Sequence, residues 1–349
     1  MILIFRVAAV FLILCLQLFS GLQSQEKVLK NINFPINSAI KVTEYKIPSV
    51  NYAVASSLVV LDDYVVLVEQ KSPKIISIFD KESFKYIGGY GVLGKGPNEF
   101  IYVDATNAKA EGNKLLIYDL TRGFLSVDIN SCVNNRKLKV EILYNIPRTI
   151  VPLNDVVMLS SSSVMGYSYL DKNKDVPYLI YDAIDESVTK FGQFPTLFSK
   201  DREEIFWQIY NRHTVLKPDK QRFASFGNQV KMIRIYKMNH ELLNEQFFKI
   251  QKDFFEGEWI RTNALKYYRV VKANNDYIFA LCENQLSHDL IDNIPTLEVW
   301  DWDGNPVAKL ELQEKVFTFD LLDNPLRIIA VDKQAMDKIY VYDLSDIID

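Results

Sequence analysis

One short pattern recurs six times along this chain and dictates its architecture. Apolar, β-branched or aromatic residues run up to a polar turn-former in Ile75-Ile76-Ser77-Ile78-Phe79-Asp80, Phe124-Leu125-Ser126-Val127-Asp128 and Tyr178-Leu179-Ile180-Tyr181-Asp182. They do so again in Ile233-Arg234-Ile235-Tyr236-Lys237, Leu297-Glu298-Val299-Trp300-Asp301 and Ile339-Tyr340-Val341-Tyr342-Asp343. Successive copies lie 42 to 64 residues apart. Such side chains suit a pleated, half-buried surface, and a terminal Asp bonds its own backbone to start a turn, so each copy reads as a strand leaving into a hairpin.

Each copy follows another β-rich run: Tyr64 to Val68, Lys114 to Tyr118, Val156 to Leu159, Arg222 to Phe226, Tyr277 to Leu281 and Leu326 to Val331. Turns rich in Asp, Asn or Lys precede most of these, including Leu153-Asn154-Asp155 and Ala273-Asn274-Asn275-Asp276. Inner strands are expected over Leu58 to Leu61, Thr149 to Leu153, Thr214 to Lys217, Tyr268 to Lys272 and Val316 to Leu321, and outer ones at positions such as Phe84 to Ile87 and Val307 to Leu312. Four antiparallel strands in about 50 residues, repeated six times, predict an all-β, six-bladed β-propeller. The last unit reaches the C-terminus one strand short, and the alternating segment Lys41 to Ile47 is expected to complete it and close the ring.

Glycine contributes only 13 of 349 residues while Tyr and Phe contribute 19 and 21, so Asp and Asn must serve most turns. With 40 basic and 44 acidic residues there is no basic face to suggest nucleic acid. Residues 1–24 carry one charge, Arg6, an apolar stretch from Val7 and a short polar tail, the layout of an export signal cleaved after Ser24. A single propeller domain over 25–349 is then expected, about 54 residues per blade. Cys15 in Leu12-Ile13-Leu14-Cys15 resembles a lipidation site, although Leu14 sits where that peptidase wants a small residue; lipidation there and an uncleaved N-terminal anchor are the alternatives to simple cleavage, and membrane attachment is expected only through that terminus. Cys132 and Cys282, expected in different blades, read as unpaired thiols.

Long connections all have the parity that places them on one propeller face: Gly88 to Phe100, Ser160 to Val176, Pro195 to His213, Asp253 to Tyr267 and Asn284 to Thr296. Loops gathered at one end of a rigid scaffold are where binding residues concentrate. Pro195 to His213 includes an amphipathic helical pattern with Ile205, Phe206, Ile209 and Tyr210 on one side. Candidate ligand-binding residues are Trp207, Tyr210, Arg212, His213, Trp259, Arg261, Tyr267 and Tyr268, because aromatics with arginines form platforms for sugars, peptides or anions.

The most distinctive stretch is Gly91-Val92-Leu93-Gly94-Lys95-Gly96-Pro97-Asn98-Glu99-Phe100. Its Gly94, Gly96, Pro97, Glu99 and Phe100 resemble the G-x-G-P-x-E-F segment of TolB-like six-bladed propellers, often secreted lipoproteins of gut-dwelling Gram-negative bacteria, and more distantly the Gly-rich segment of NHL repeats. The resemblance implies the fold and a periplasmic or cell-surface location, and supplies no catalytic residues. Physically, the glycines permit a sharp turn out of an outer strand and Phe100 anchors the return.

Only three histidines, His213, His240 and His288, are present, without metal-ligand spacing, and no HExxH, GxSxG or P-loop motif occurs. Asp301-Trp302-Asp303-Gly304-Asn305 reads as a hairpin turn rather than a calcium loop. No metal or cofactor is expected, with a calcium ion in the central channel left open. The expectation is therefore a monomeric, exported, non-catalytic protein that recognises a glycan, peptide or protein partner on the long-loop face. The alternative is a hydrolase or lyase acting on a sugar or lactone through channel carboxylates and His213.

Overall fold

The structure, a computed structural model, describes residues 30–47, 57–70, 72–168, 176–195, 209–248, 265–286, 293–332 and 337–348. Two N-terminal strands, β1 (Ile36–Ala39) and β2 (Val42–Lys46), precede six blades. Blade 1 holds β3 (Ser57–Val60), β4 (Tyr64–Val68), β5 (Ile76–Asp80) and β6 (Tyr86–Tyr90). Blade 2 holds β7 (Val103–Glu111), β8 (Lys114–Asp119), β9 (Gly123–Asp128) and β10 (Val140–Tyr144). Blade 3 holds β11 (Leu153–Met158), β12 (Ser163–Ser168), β13 (Tyr178–Asp182) and β14 (Ser187–Phe191). Blade 4 holds β15 (Arg212–Leu216), β16 (Arg222–Gly227), β17 (Met232–Lys237) and β18 (Leu242–Phe247). Blade 5 holds β19 (Leu265–Ala273), β20 (Tyr277–Leu286), β21 (Thr296–Asp301) and β22 (Pro306–Glu311), and blade 6 holds β23 (Val316–Asp323), β24 (Leu326–Asp332) and β25 (Lys338–Asp343).

The six copies of the repeated run are the third strands β5, β9, β13, β17, β21 and β25. Their terminal aspartates act as backbone acceptors: Asp80 Oδ1 takes the Ser83 N–H at 2.8 Å, Asp182 Oδ1 that of Ile184 at 2.8 Å, and Asp301 Oδ1 that of Asn305 at 2.7 Å. In blade 2 the same position, Asp128, instead caps helix α1 (Ile129–Asn135), accepting from Ser131 N–H at 3.3 Å. That helix carries Cys132; Cys282 lies in β20, and both are buried free thiols.

Each blade buries both faces against its neighbours, so the core is a ring of six apolar layers rather than one centre. Ile78, Phe100 and Val127 pack between blades 1 and 2, Tyr118 and Val164 between 2 and 3, and Tyr178 and Phe223 between 3 and 4. Phe226 and Trp300 fill the gap between 4 and 5, Phe279 and Tyr340 between 5 and 6, and Phe79 and Ile329 between 6 and 1.

The ring closes as the alternation of residues 41–47 implied. β2 lies antiparallel on β25, with Val42 opposite Tyr342 and Lys46 opposite Lys338. The same strap reaches further than expected. β1 adds a parallel fifth strand to blade 5, Ile36 opposite Ala308, and Lys30 N–H bonds Phe247 O at 2.8 Å on blade 4.

Blade 3 departs from the expected boundaries. The expected inner strand, Thr149 to Leu153, and second strand, Val156 to Leu159, are replaced by the single inner strand β11; Asn154-Asp155, expected as their turn, is a bulge inside it, with Asp155 at φ 51°. The turn sits later, where Ser160 Oγ accepts the Ser162 and Ser163 N–H groups at 3.1 and 3.0 Å. Strand β12 then occupies part of the expected loop Ser160 to Val176, its serines and glycine concealing it from propensity. Gly88 to Tyr90 likewise belong to β6 rather than to a loop. The export signal with Cys15, and all but Ile209 and Tyr210 of the expected helical face, lie outside the described residues. Among the described residues no helix is long and apolar enough to cross a membrane.

Glu69, between β4 and β5, is 0% exposed, and neither carboxyl oxygen has a hydrogen-bond partner of ordinary geometry. Burial pushes its carboxyl from 4.5 up to about 8, with Ser72 pulling weakly the other way. The folded state holds this proton more tightly than the unfolded state, so the contribution is fully present below about pH 4.5 and is lost as pH rises toward 8. Glu69→Gln is expected to remove that slope and to raise stability at pH 7 by roughly 3 kcal/mol. Urea midpoints between pH 5 and 8 check this; parallel wild-type and variant curves would contradict it.

Candidate functional site

The Gly-rich segment forms a compact knot at the exit from blade 1. Phe100 N–H bonds Val92 O at 3.0 Å, Gly94 N–H bonds Phe100 O at 2.8 Å, and Gly96 N–H donates to Glu99 Oε2 at 2.7 Å. A Cβ on Gly94 would lie 2.0 Å from that Glu99 oxygen and would displace the carboxylate from Gly96 N–H, while Gly91 turns at φ +74° over the Phe100 ring, where a side chain is strained. Phe100 is wholly buried. From β8 and its turn, Arg122 donates to Gly96 O at 2.6 Å and Glu99 O at 2.8 Å. Asp119, 0% exposed, accepts the N–H groups of Ile101, Tyr102, Thr121 and Arg122 at 2.8–3.1 Å. These bonds tie the segment to blade 2, making it a clasp between blades 1 and 2.

An enclosed, charge-lined concavity lies elsewhere. The inner strands β3, β7, β11, β15, β19 and β23 surround a central channel containing a cavity of about 470 Å³. Side-chain bridges sew these strands together: Asn107 Oδ1 accepts Val156 N–H at 3.1 Å, Asp155 Oδ1 accepts Thr214 N–H at 2.7 Å, and Asp320 Oδ2 accepts Val60 N–H at 2.8 Å. Four inner strands are irregular, with register shifts at 104–109, 154–157, 266–270 and 316–318. Bulges re-aim side chains, which is how charged residues in strands flanked by apolar layers come to line the channel.

Most channel charges are paired. Lys272 Nζ lies 3.3 Å from Asp320 Oδ1, while Arg269 Nε lies 2.7 Å from Glu283 Oε1 with its guanidinium 4.5 Å from the Phe317 ring. Asp155 is held by Thr214, whose Oγ1 donates at 2.5 Å, with Arg212 Nε at 3.6 Å. Lys109, aimed from the β7 bulge, has no ion-pair partner among the described residues. Enclosure by protein pulls its ammonium down to about 8, the neighbouring Lys272 adding to the fall and Asp155 opposing it. His213 lines the same cavity; burial holds its imidazole below the ordinary value despite Asp155, with Arg269 and Lys266 acting in the same direction as burial. At neutral pH it is uncharged.

Of the selected residues that the structure describes, His213 alone faces this cavity. Arg212 is 4% exposed, its guanidinium 4.0 Å from the Tyr178 ring and 4.8 Å from the Tyr167 ring, donating to Pro177 O. Tyr210, Tyr267 and Tyr268 are 1, 3 and 0% exposed; Tyr268 donates to Glu298 at 2.7 Å and Tyr210 to Pro195 O at 2.8 Å. Trp207, Trp259 and Arg261 lie outside the described residues. Lys109, Asp155, Arg269, Lys272 and Asp320 were missed, although charged residues inside expected inner strands were a usable signal for the last three. No group of three or more His, Cys, Asp or Glu among the described residues is arranged to hold a metal ion.

The chain is thus a six-bladed β-propeller with a charged central channel. No protein-family model and no curated protein sequence matches it. Among solved structures it is similar to a member of the DUF4221 family from Bacteroides vulgatus, at 10% identity and TM-score 0.59, over 87% of this chain and 96% of that one. It is similar also to a candidate exported protein from Bacteroides fragilis, at 11% identity and TM-score 0.51, over 88% and 98% of the two chains. A gluconolactonase from Xanthomonas campestris aligns at 7% identity and TM-score 0.51, over 86% and 89%. At these identities the likeness establishes the fold alone.

Proposed function

We propose that this is an exported, non-catalytic binding protein of the TolB-like kind, and that its channel receives the carboxylate of a small acidic ligand, free or as part of a glycan, from the long-loop face. The observation that carries this reading is Lys109, a cation without a counter-ion among the described residues, in the wall of a 470 Å³ cavity. The volume is in the range of small-molecule sites. Of the cavity-wall carboxylates that would repel such a ligand, Asp155 is engaged by Thr214 and Asp320 by Val60 and Lys272, while Asp323 at the end of β23 accepts from Asn274 at 3.4 Å. The neutral His213 imidazole and Thr106 add polar groups to the same wall.

Calorimetry with lactate and glucuronate on the chain from residue 25 tests this. A bound carboxylate favours the charged form of Lys109, so binding is expected to take up protons near pH 8 and to weaken as pH rises through that value. Lys109→Met is expected to reduce affinity at least tenfold, the worth of about 1.5 kcal/mol for a charged hydrogen bond. Equal affinity in the variant, or no heat with either acid, would defeat the reading.

A second reading, a hydrolase or lyase acting on a sugar or lactone, is favoured by one observation: Asp155 and His213 line the same cavity. Against it, both Asp155 oxygens already accept from Thr214, which leaves that carboxylate poorly placed as a free general base. Turnover of a lactone panel that disappears in His213→Gln would favour this reading over the first.

A further inference from the structure

The channel reading leaves one property of Lys109 unused. Arg269 and Lys272, the other cations of the cavity wall, each hold a carboxylate, whereas Lys109 presents a free amine to the cavity. Lys272, fixed by Asp320, keeps its charge close to that amine, and a lysine beside a second cation is a recurrent way to generate a nucleophilic nitrogen. Resting on that reading, we infer that Lys109 is a covalent handle, condensing with the aldehyde or ketone carbon of a carboxylate-bearing ligand to form a reversible imine.

The chemistry balances without an added reagent. The neutral amine attacks the carbonyl carbon, forming the C–N bond while the π pair moves to oxygen. Two protons then pass in turn from nitrogen to that oxygen, the first giving the carbinolamine and the second making the hydroxyl a water, and the uncharged His213 in the same wall is a suitable carrier for both. Departure of that oxygen as water breaks the C–O bond and leaves C=N; hydrolysis reverses each step. With the ammonium titrating at about 8, about a tenth of Lys109 is neutral at pH 7, against a few in ten thousand for an ordinary lysine. Lys272 of β19 and Asp155 of β11 act on it in opposite senses. Also in the cavity wall are His213 of β15, Arg269 of β19, and Asp320 and Asp323 of β23, while β3 contributes only Ser57, Val59 and Val60.

Borohydride trapping decides the matter. The chain from residue 25 is incubated with pyruvate or glyoxylate, reduced, digested and mapped by mass spectrometry. The expected result is one reduced adduct on Lys109, formed at least tenfold faster than on exposed lysines such as Lys85, with a half-maximal rate near pH 8. Lys109→Met is expected to lose it. Lys272→Met removes the adjacent charge and is expected to move the pH midpoint upward by at least half a pH unit; the wild-type profile keeps the test valid if that variant does not fold. Trapping spread evenly over surface lysines, or a Lys109 rate still climbing above pH 10, would overturn the inference. Lactate, which has no ketone or aldehyde carbon to condense, separates the two ideas: lactate binding without trapping removes the imine and leaves the anion site, and absence of heat with both lactate and glucuronate removes the anion site itself.

Discussion

A chain that begins at residue 48 is expected to lose cooperative folding, whereas one that begins at residue 25 unfolds in a single transition. The truncation removes β2 and with it five ladder pairs on β25, from Val42–Tyr342 to Lys46–Lys338. It also removes Ile40 and Ile47, 2 and 5% exposed, the edge-on contact of Phe34 with Trp300 at 5.2 Å, and the parallel strand β1. Each buried aliphatic side chain is worth about 1.5–3 kcal/mol. The combined loss is therefore on the order of 5–10 kcal/mol, comparable with the whole stability of a typical domain. The exposed edge of β25 would then pair with other copies, so aggregation on gel filtration is expected as well. Adding residues 25–47 as a separate peptide is expected to restore part of the transition, and Ile47→Ala in the intact chain to cost about 2–4 kcal/mol. An unchanged urea midpoint in the truncated chain would mean that blade 6 is stable with three strands.

Asp119→Ala is expected to be the most damaging single substitution in the Gly-rich clasp. One buried carboxylate satisfies four backbone N–H groups there, those of Ile101, Tyr102, Thr121 and Arg122. Leaving these part-buried donors unpaired costs up to about 1 kcal/mol each, so a loss of roughly 2–4 kcal/mol is expected. Because Arg122 holds the loop through the carbonyls of Gly96 and Glu99, the exposed Lys95–Gly96 bond should become a preferred site of trypsin cleavage. Asp119→Asn keeps one acceptor oxygen and is expected to fall between the two. A loss below 1 kcal/mol with no new cleavage would show that water replaces the carboxylate without strain.

The blade count and the closing strand were legible because they rest on local chemistry. A run such as Leu297-Glu298-Val299-Trp300-Asp301 carries its strand propensity and its turn signal within a few residues, and Lys41 to Ile47 alternates in a way no other unit could absorb. Blade 3 was misread at Asn154-Asp155 because the same residues that build hairpin turns also build bulges, and only the partner strand distinguishes them. The candidate site was far less legible. Arg212, Tyr267 and Tyr268 have the composition of a binding platform, yet neighbours distant in sequence, Tyr167, Tyr178 and Glu298, enclose them.

Residue order alone was therefore enough for six four-stranded blades, their spacing and the joining of one terminus to the other, since strand, turn and period are properties of short segments. The channel required the ring to be assembled. Its wall draws on six inner strands spread from Ser57 to Asp323, and bulges break the period that would otherwise reveal which side chains face inward. Whether a charge there is free depends on what stands opposite it: Lys272 meets Asp320 and Arg269 meets Glu283, while Lys109, from an unremarkable alanine-rich strand, meets no carboxylate at bonding distance among the described residues.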